Sequence, residues 1–82
     1  MVRVTREDEL LQAAIVDQLN AELGAAGISV KEMAKKLGRP YDSTRNYLRK
    51  ERTIPFLLVL ECAKELGIPT ETIIARARQR LV

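Results

Sequence analysis

Histidine and tryptophan are absent from this 82-residue chain, cysteine occurs once, and only three residues are aromatic. Without histidine, and with a single cysteine, the usual zinc sites lack their ligands. A Ser-His or Cys-His nucleophile pair cannot be assembled either. One cysteine forms no internal disulfide, and Cys62, in the stretch VLECAKEL, has the setting of a small buried hydrophobe. The carboxylates have their plainest reading on helix surfaces. With so few aromatics the core must be aliphatic. No apolar run approaches the roughly 20 residues of a membrane span, and the opening MVRVTREDEL lacks the apolar centre of a secretory signal. From these absences we expect no enzyme, cofactor, metal, membrane partner or small-molecule ligand, and a cytoplasmic location.

The residues that are present argue for a folded domain. Hydrophobic residues make up 46% of the chain and charges of both signs 30%, which separates it from disordered tails. The length allows one domain, 1–82, with a small core, since a chain of this size buries only about 60% of its unfolded surface. Charge is placed unevenly. Lys35, Lys36, Arg39, Arg45, Arg49, Lys50 and Arg52 stand against Asp42 and Glu51, a net of +5 within residues 35–52, whereas the other residues sum to −2. A basic patch on a near-neutral body is the electrostatic footprint of a nucleic-acid binder, and it is equally the pattern of a solvated helix face.

Every periodic segment is helical, which gives an all-α fold of five helices. Leu10/Leu11, Ala14/Ile15, Leu19, Leu23 and Ala26 recur at 3.6-residue spacing over a first helix at about 6–26. Thr5 is its cap, three acids enter its first turn, and Gly24 and Gly27 close it. Ser29 and Glu32 form the S-x-x-E capping box of a second helix at about 30–37, flanked by the Ile28/Met33 staple and stopped by Gly38. Met33, Ala34 and Leu37 form its inward face. After Arg39-Pro40 a third helix is expected over about 41–50. Its one apolar seam is Tyr41, Thr44, Tyr47 and Leu48, with Asp42, Ser43, Arg45, Asn46 and Arg49 elsewhere around it. Pro55 suits the first position of a fourth helix at about 55–66. Phe56, Leu58, Val59, Leu60, Cys62, Ala63 and Leu66 are its expected buried face, while Leu57 aligns with Glu61 and Lys64 on the polar side. A fifth helix at about 70–81 carries the stripe Ile73, Ile74, Ala77 and Leu81.

A short capped helix, a glycine turn and a basic helix anchored along one seam follow helix-turn-helix grammar. The major groove, roughly 12 Å wide, admits one helix held out from the body, so that helix cannot be apolar all round. The stretches ISVKEMAKKLG, STRNYLRKERTIP and ECAKELGIP resemble, in register, the Cro/repressor-type helix-turn-helix family, also called the xenobiotic response element family. The resemblance covers about residues 28–74. Four positions depart from the family pattern: Val30 replaces a usual Gln, Arg39 a small apolar residue, Pro40 a Ser cap, and Lys50 the Gly that usually ends the recognition helix.

The resemblance implies sequence-specific binding of double-stranded DNA by a small transcriptional regulator, a phage Cro-like or repressor-like protein occupying an operator as a homodimer. It implies base reading by Tyr41, Asp42, Ser43, Arg45 and Asn46, and phosphate contacts by Lys35, Lys36, Arg39, Arg49, Lys50 and Arg52. Tyr47 reads better as core than as contact. Leu57, Ile74 and Leu81 are the expected dimer-interface residues. Arg76, Arg78 and Arg80 suit a helix C-terminus, a second DNA contact or a partner surface. The alternative function is an antitoxin or interaction module that uses the same fold to dock a protein.

Overall fold

The computed structural model describes residues 5–82; the first four residues of the start considered above for a secretory signal lie outside them. Five helices follow in order: α1 (Arg6–Ala26), α2 (Val30–Leu37), α3 (Tyr41–Leu48), α4 (Phe56–Leu66) and α5 (Thr70–Gln79). There is no strand among the described residues, and no described helix is long and apolar enough to cross a membrane.

Local chemistry accounts for most of the boundaries. The Thr5 hydroxyl accepts from the Asp8 amide while the Asp8 carboxylate accepts from the Thr5 amide, a reciprocal capping box at the start of α1. Ser29 and Glu32 make the same exchange at α2. Between α2 and α3, Gly38 turns the chain with φ 67°, and the Arg39 amide reaches back to the Ala34 carbonyl.

Three ends differ from the sequence expectation. α3 stops at Leu48 rather than at 50, because Arg49 leaves helical geometry and Lys50 takes the left-handed conformation, φ 64°. The Lys50 amide donates to the Tyr47 carbonyl and the Glu51 amide to the Asn46 carbonyl, a helix stop that normally uses glycine. α4 begins at Phe56, with Pro55 as the residue before the helix rather than its first member. α5 ends at Gln79 rather than at 81.

The core is aliphatic, as the lack of aromatics requires. Leu19, Met33, Leu58, Cys62 and Ile73 are fully enclosed, and Val16, Leu23, Leu48, Ile54, Val59 and Ala63 complete the cluster. Ile28, Leu37, Tyr47 and Leu66 pack against its edge. Burial pushes the Cys62 thiol up to about 11.

The stripes of α1 and α4 need correction. On α1, Val16 is buried, while Leu10 and Ala26 are exposed and Leu11 and Ile15 half-buried. On α4, Phe56 is 62% and Leu60 38% exposed, although both were expected inside. A run of five apolar residues, 56–60, winds about 100° per residue and cannot all face one way; Leu58 and Val59 take the core.

The largest helix–helix packing joins α1 to α5, so the first and last elements close the core together. Ile73 and Ala77 of α5 are fully enclosed. Arg76 Nη1 lies 2.6 Å from Glu22 Oε2, and Arg80 Nε donates to Gln18 Oε1 at 2.8 Å. Hydrogen bonds from Arg76 and then Gln18 hold the Glu22 carboxyl below the usual carboxylate range.

Candidate nucleic-acid interface

α3 is attached along a narrow line. Thr44 and Leu48 are the only fully buried members of the helix, and the Thr44 hydroxyl donates to the Pro40 carbonyl at 2.9 Å. That bond satisfies the one buried polar side chain and ties the helix to its own start. α2 packs directly on α3, and α1 holds its far end. There the Asn20 amide donates both to Val16 O (3.2 Å) and to Leu48 O (2.9 Å). One turn away, Asp17 lies 2.6 Å from Lys50 Nζ. Asp17 and Asn20, three apart on α1, therefore grip the C-terminal end of α3. Helical periodicity marks neither residue, because their partners lie 28 and 33 positions further along the chain.

Opposite the Thr44–Leu48 line the helix presents Asp42, Asn46 and, just beyond its end, Arg49, with Ser43 and Arg45 on either flank. The Asp42 side chain is 83% exposed and Asn46 is half-buried. The Ser43 hydroxyl donates to Pro40 O, so as a reader it would exchange that partner. Arg45 is held in place: its guanidinium lies over the Tyr41 ring, 5.5 Å from the centroid, and Nη2 is 3.9 Å from Asp42 Oδ1. Its Nε is buried without a hydrogen-bond partner among the described residues. Tyr41 is 41% exposed at the edge of the seam rather than packed within it.

The seven cations of residues 35–52 divide by partner. Arg39 Nε sits 2.6 Å from Glu61 Oε1, both half-buried, so this side chain bridges the α2–α3 turn to α4. Lys50 is engaged by Asp17, and Lys36 lies loosely at 3.8 Å from Glu65. Lys35, Arg49 and Arg52 are exposed and make no ion pair among the described residues. The phosphate contacts expected of Arg39 and Lys50 thus require exchange of an internal partner, whereas Lys35, Arg49 and Arg52 need none. A shallow depression lined by Lys31, Glu32, Ala34, Lys35, Arg39 and Tyr41 lies where α2 meets the start of α3.

The three expected interface residues do not share one environment. Leu57 is 58% exposed on α4, Ile74 is half-buried in α5, and Leu81 is exposed beyond the end of α5. Compared with protein-family models, with curated proteins and with solved structures, the chain matches none.

Proposed function

We propose that this chain binds double-stranded DNA sequence-specifically and acts as a small transcriptional regulator, laying α3 in the major groove of an operator. One observation carries the reading. α3 is a helix held along a single line and braced at its end by Asn20, and its outward surface is polar and leads into Arg49 and Arg52, which make no ion pair among the described residues. A solvated helix face is polar as well; what favours DNA over that plainer reading is that this surface runs into exposed cations with no acid opposite them among the described residues. In this reading Asn46, pointing away from the seam, pairs with an adenine edge, and Arg45 reads guanine or a phosphate. Lys35, Arg49 and Arg52 position the protein on the backbone. A dimer would double the few base pairs one helix can read.

Selection of bound sites from random duplexes, followed by a salt series on the selected and a scrambled site, tests this reading. We expect one enriched sequence and an affinity that falls steeply with salt. Asn46→Ala should lose about 1–3 kcal/mol on the selected site only and relax one base position. Absence of any enriched site, or binding indifferent to salt, would sink the reading and favour docking of a protein instead.

A further inference from the structure

Lys50 and Asp17 make a contact that adds little to the fold. The C-terminal end of α3 is already closed by backbone bonds from the Lys50 and Glu51 amides, and the Asn20 amide holds the Leu48 carbonyl. The pair joins Nζ to Oδ1 at 2.6 Å with the two side chains 45% and 46% exposed. An ion pair in that much water stabilises weakly. Yet a lysine stands here at φ 64°, a conformation that glycine adopts at lower cost. A side chain kept where the backbone disfavours it points to a use for that side chain. The other interhelical pairs of the basic stretch differ. Arg39–Glu61 is more enclosed and bridges the α2–α3 turn to α4, and Lys36–Glu65 is loose at 3.8 Å. Lys50 combines a short contact with an exposed setting, one residue after Arg49 and two before Arg52.

We propose that Asp17 is a restraint on DNA affinity built into α1: it neutralises Lys50 and keeps that ammonium off the phosphates that Arg49 and Arg52 contact. The inference rests on the DNA reading of α3 and adds to it a residue outside the helix-turn-helix. A lysine that arrives with its own carboxylate brings no net charge to the backbone, and so displaces no condensed counterion. The carboxylate also repels any phosphate that approaches the ammonium. Every sequence carries the same phosphates, so the restraint weakens binding to all DNA alike and leaves the choice of site to the base-reading side chains. α1 sets a second acid nearby. Glu9 lines the shallow depression that Lys50 and Arg52 also line, but it makes no ion pair among the described residues. Asp17 is therefore the acid of α1 that acts on Lys50.

Fluorescence anisotropy of the whole chain with the selected and a scrambled duplex, over a series of salt concentrations, tests the restraint. Asp17→Asn should bind both duplexes about fivefold more tightly near 0.1 M salt and steepen the slope of log affinity against log salt by about one unit. The ratio of the two affinities should not change. Adding Lys50→Gln to Asp17→Asn should abolish the gain, whereas Lys50→Gln alone should leave the wild-type slope nearly as it is. Glu9→Gln makes the same change of charge on the same helix and should not reproduce the gain. A gain that survives Lys50→Gln, or that Glu9→Gln matches, overturns the proposal, as does an Asp17→Asn protein that binds no more tightly than wild type. If Asp17→Asn loses its helical circular dichroism, Lys50→Gln alone decides. A full unit lost from the wild-type slope would mean that Lys50 already contacts a phosphate, and overturns the restraint. These failures leave the DNA reading standing; wild-type protein that binds neither duplex sinks that reading and the restraint with it.

Discussion

Two faces of the molecule carry similar numbers of arginines and use them differently. On the α1–α5 face Arg76 and Arg80 reach Glu22 and Gln18 at hydrogen-bonding distance, so each guanidinium has a partner on another helix. On the α3 face Arg49 and Arg52 meet no acid among the described residues, and Arg45 meets one only loosely. The number of cations does not separate the two faces. What separates them is whether an acid or amide on another helix stands opposite. A cation already paired gains little from a phosphate, because it must first give up its partner.

Removing the paired face should have the largest effect. Deletion of residues 76–82 takes away the enclosed Ala77 together with both arginine bridges, leaving part of the buried side of α1 uncovered. A domain this small holds only a few kcal/mol in reserve. We therefore expect loss of most of the far-ultraviolet helical signal at 25 °C. A folded truncated chain would mean that α5 decorates the core rather than completing it.

The contrast sharpens in a salt series on DNA. Arg49→Ala should reduce the slope of log affinity against log salt by about one unit, on cognate and scrambled duplexes alike. Arg76→Ala should leave the slope unchanged and lower the melting temperature instead. Equal slopes for the two variants would erase the distinction between the faces.

A smaller effect depends on acidity. The Glu22 carboxyl is held below its ordinary value in the folded chain, so its contribution is present above the unfolded value near 4.5. It is lost as pH falls through the lower folded value. Glu22→Gln should cost about 1 kcal/mol at neutral pH, and melting curves of the two proteins should converge in acid. A gap that persists undiminished at low pH would point to packing rather than charge.

The smallest expected change is a gain. Lys50 occupies a left-handed conformation that disfavours side chains, and its pair with Asp17 is about half exposed. Lys50→Gly should relieve the first and forfeit the second, for a net gain of about 0.5 kcal/mol read by urea denaturation. A loss would mean that the Asp17 pair holds the end of α3 more firmly than its exposure suggests.

Elements with internal punctuation were legible in the sequence. α2 is bounded by Ser29, Glu32 and Gly38, and its extent and inward residues match the expectation because each signal acts within a few residues. The fully enclosed Thr44 and Leu48 confirm the centre of the α3 seam. Phe56 and Leu60 were misplaced because the run 56–60 has no polar residue to orient it, whereas Leu57 was set apart by Glu61 and Lys64 and is indeed exposed. The Lys50 stop was hidden because a left-handed lysine has no sequence signature; the backbone bonds that hold it come from Tyr47 and Asn46 carbonyls. Arg39–Glu61 and Lys50–Asp17 were beyond reach for a different reason. Periodicity says which way a side chain points along its own helix, and says nothing of which acid another helix places there.

The adjacency of α1 and α5 also sets an order in time. During synthesis α1 is made first, yet Leu19 and Leu23 form part of a core that Ile73 and Ala77 help to enclose, some fifty residues later. The α2–α3 unit needs only its neighbours, while the long closure between α1 and α5 carries the larger entropic cost. A nascent chain that has passed α3 therefore still shows the inward side of α1 to its surroundings. Apolar surface left uncovered in an unfinished fold is what promotes aggregation, so the pairing of α1 with α5 makes completion of α5 the step that removes it.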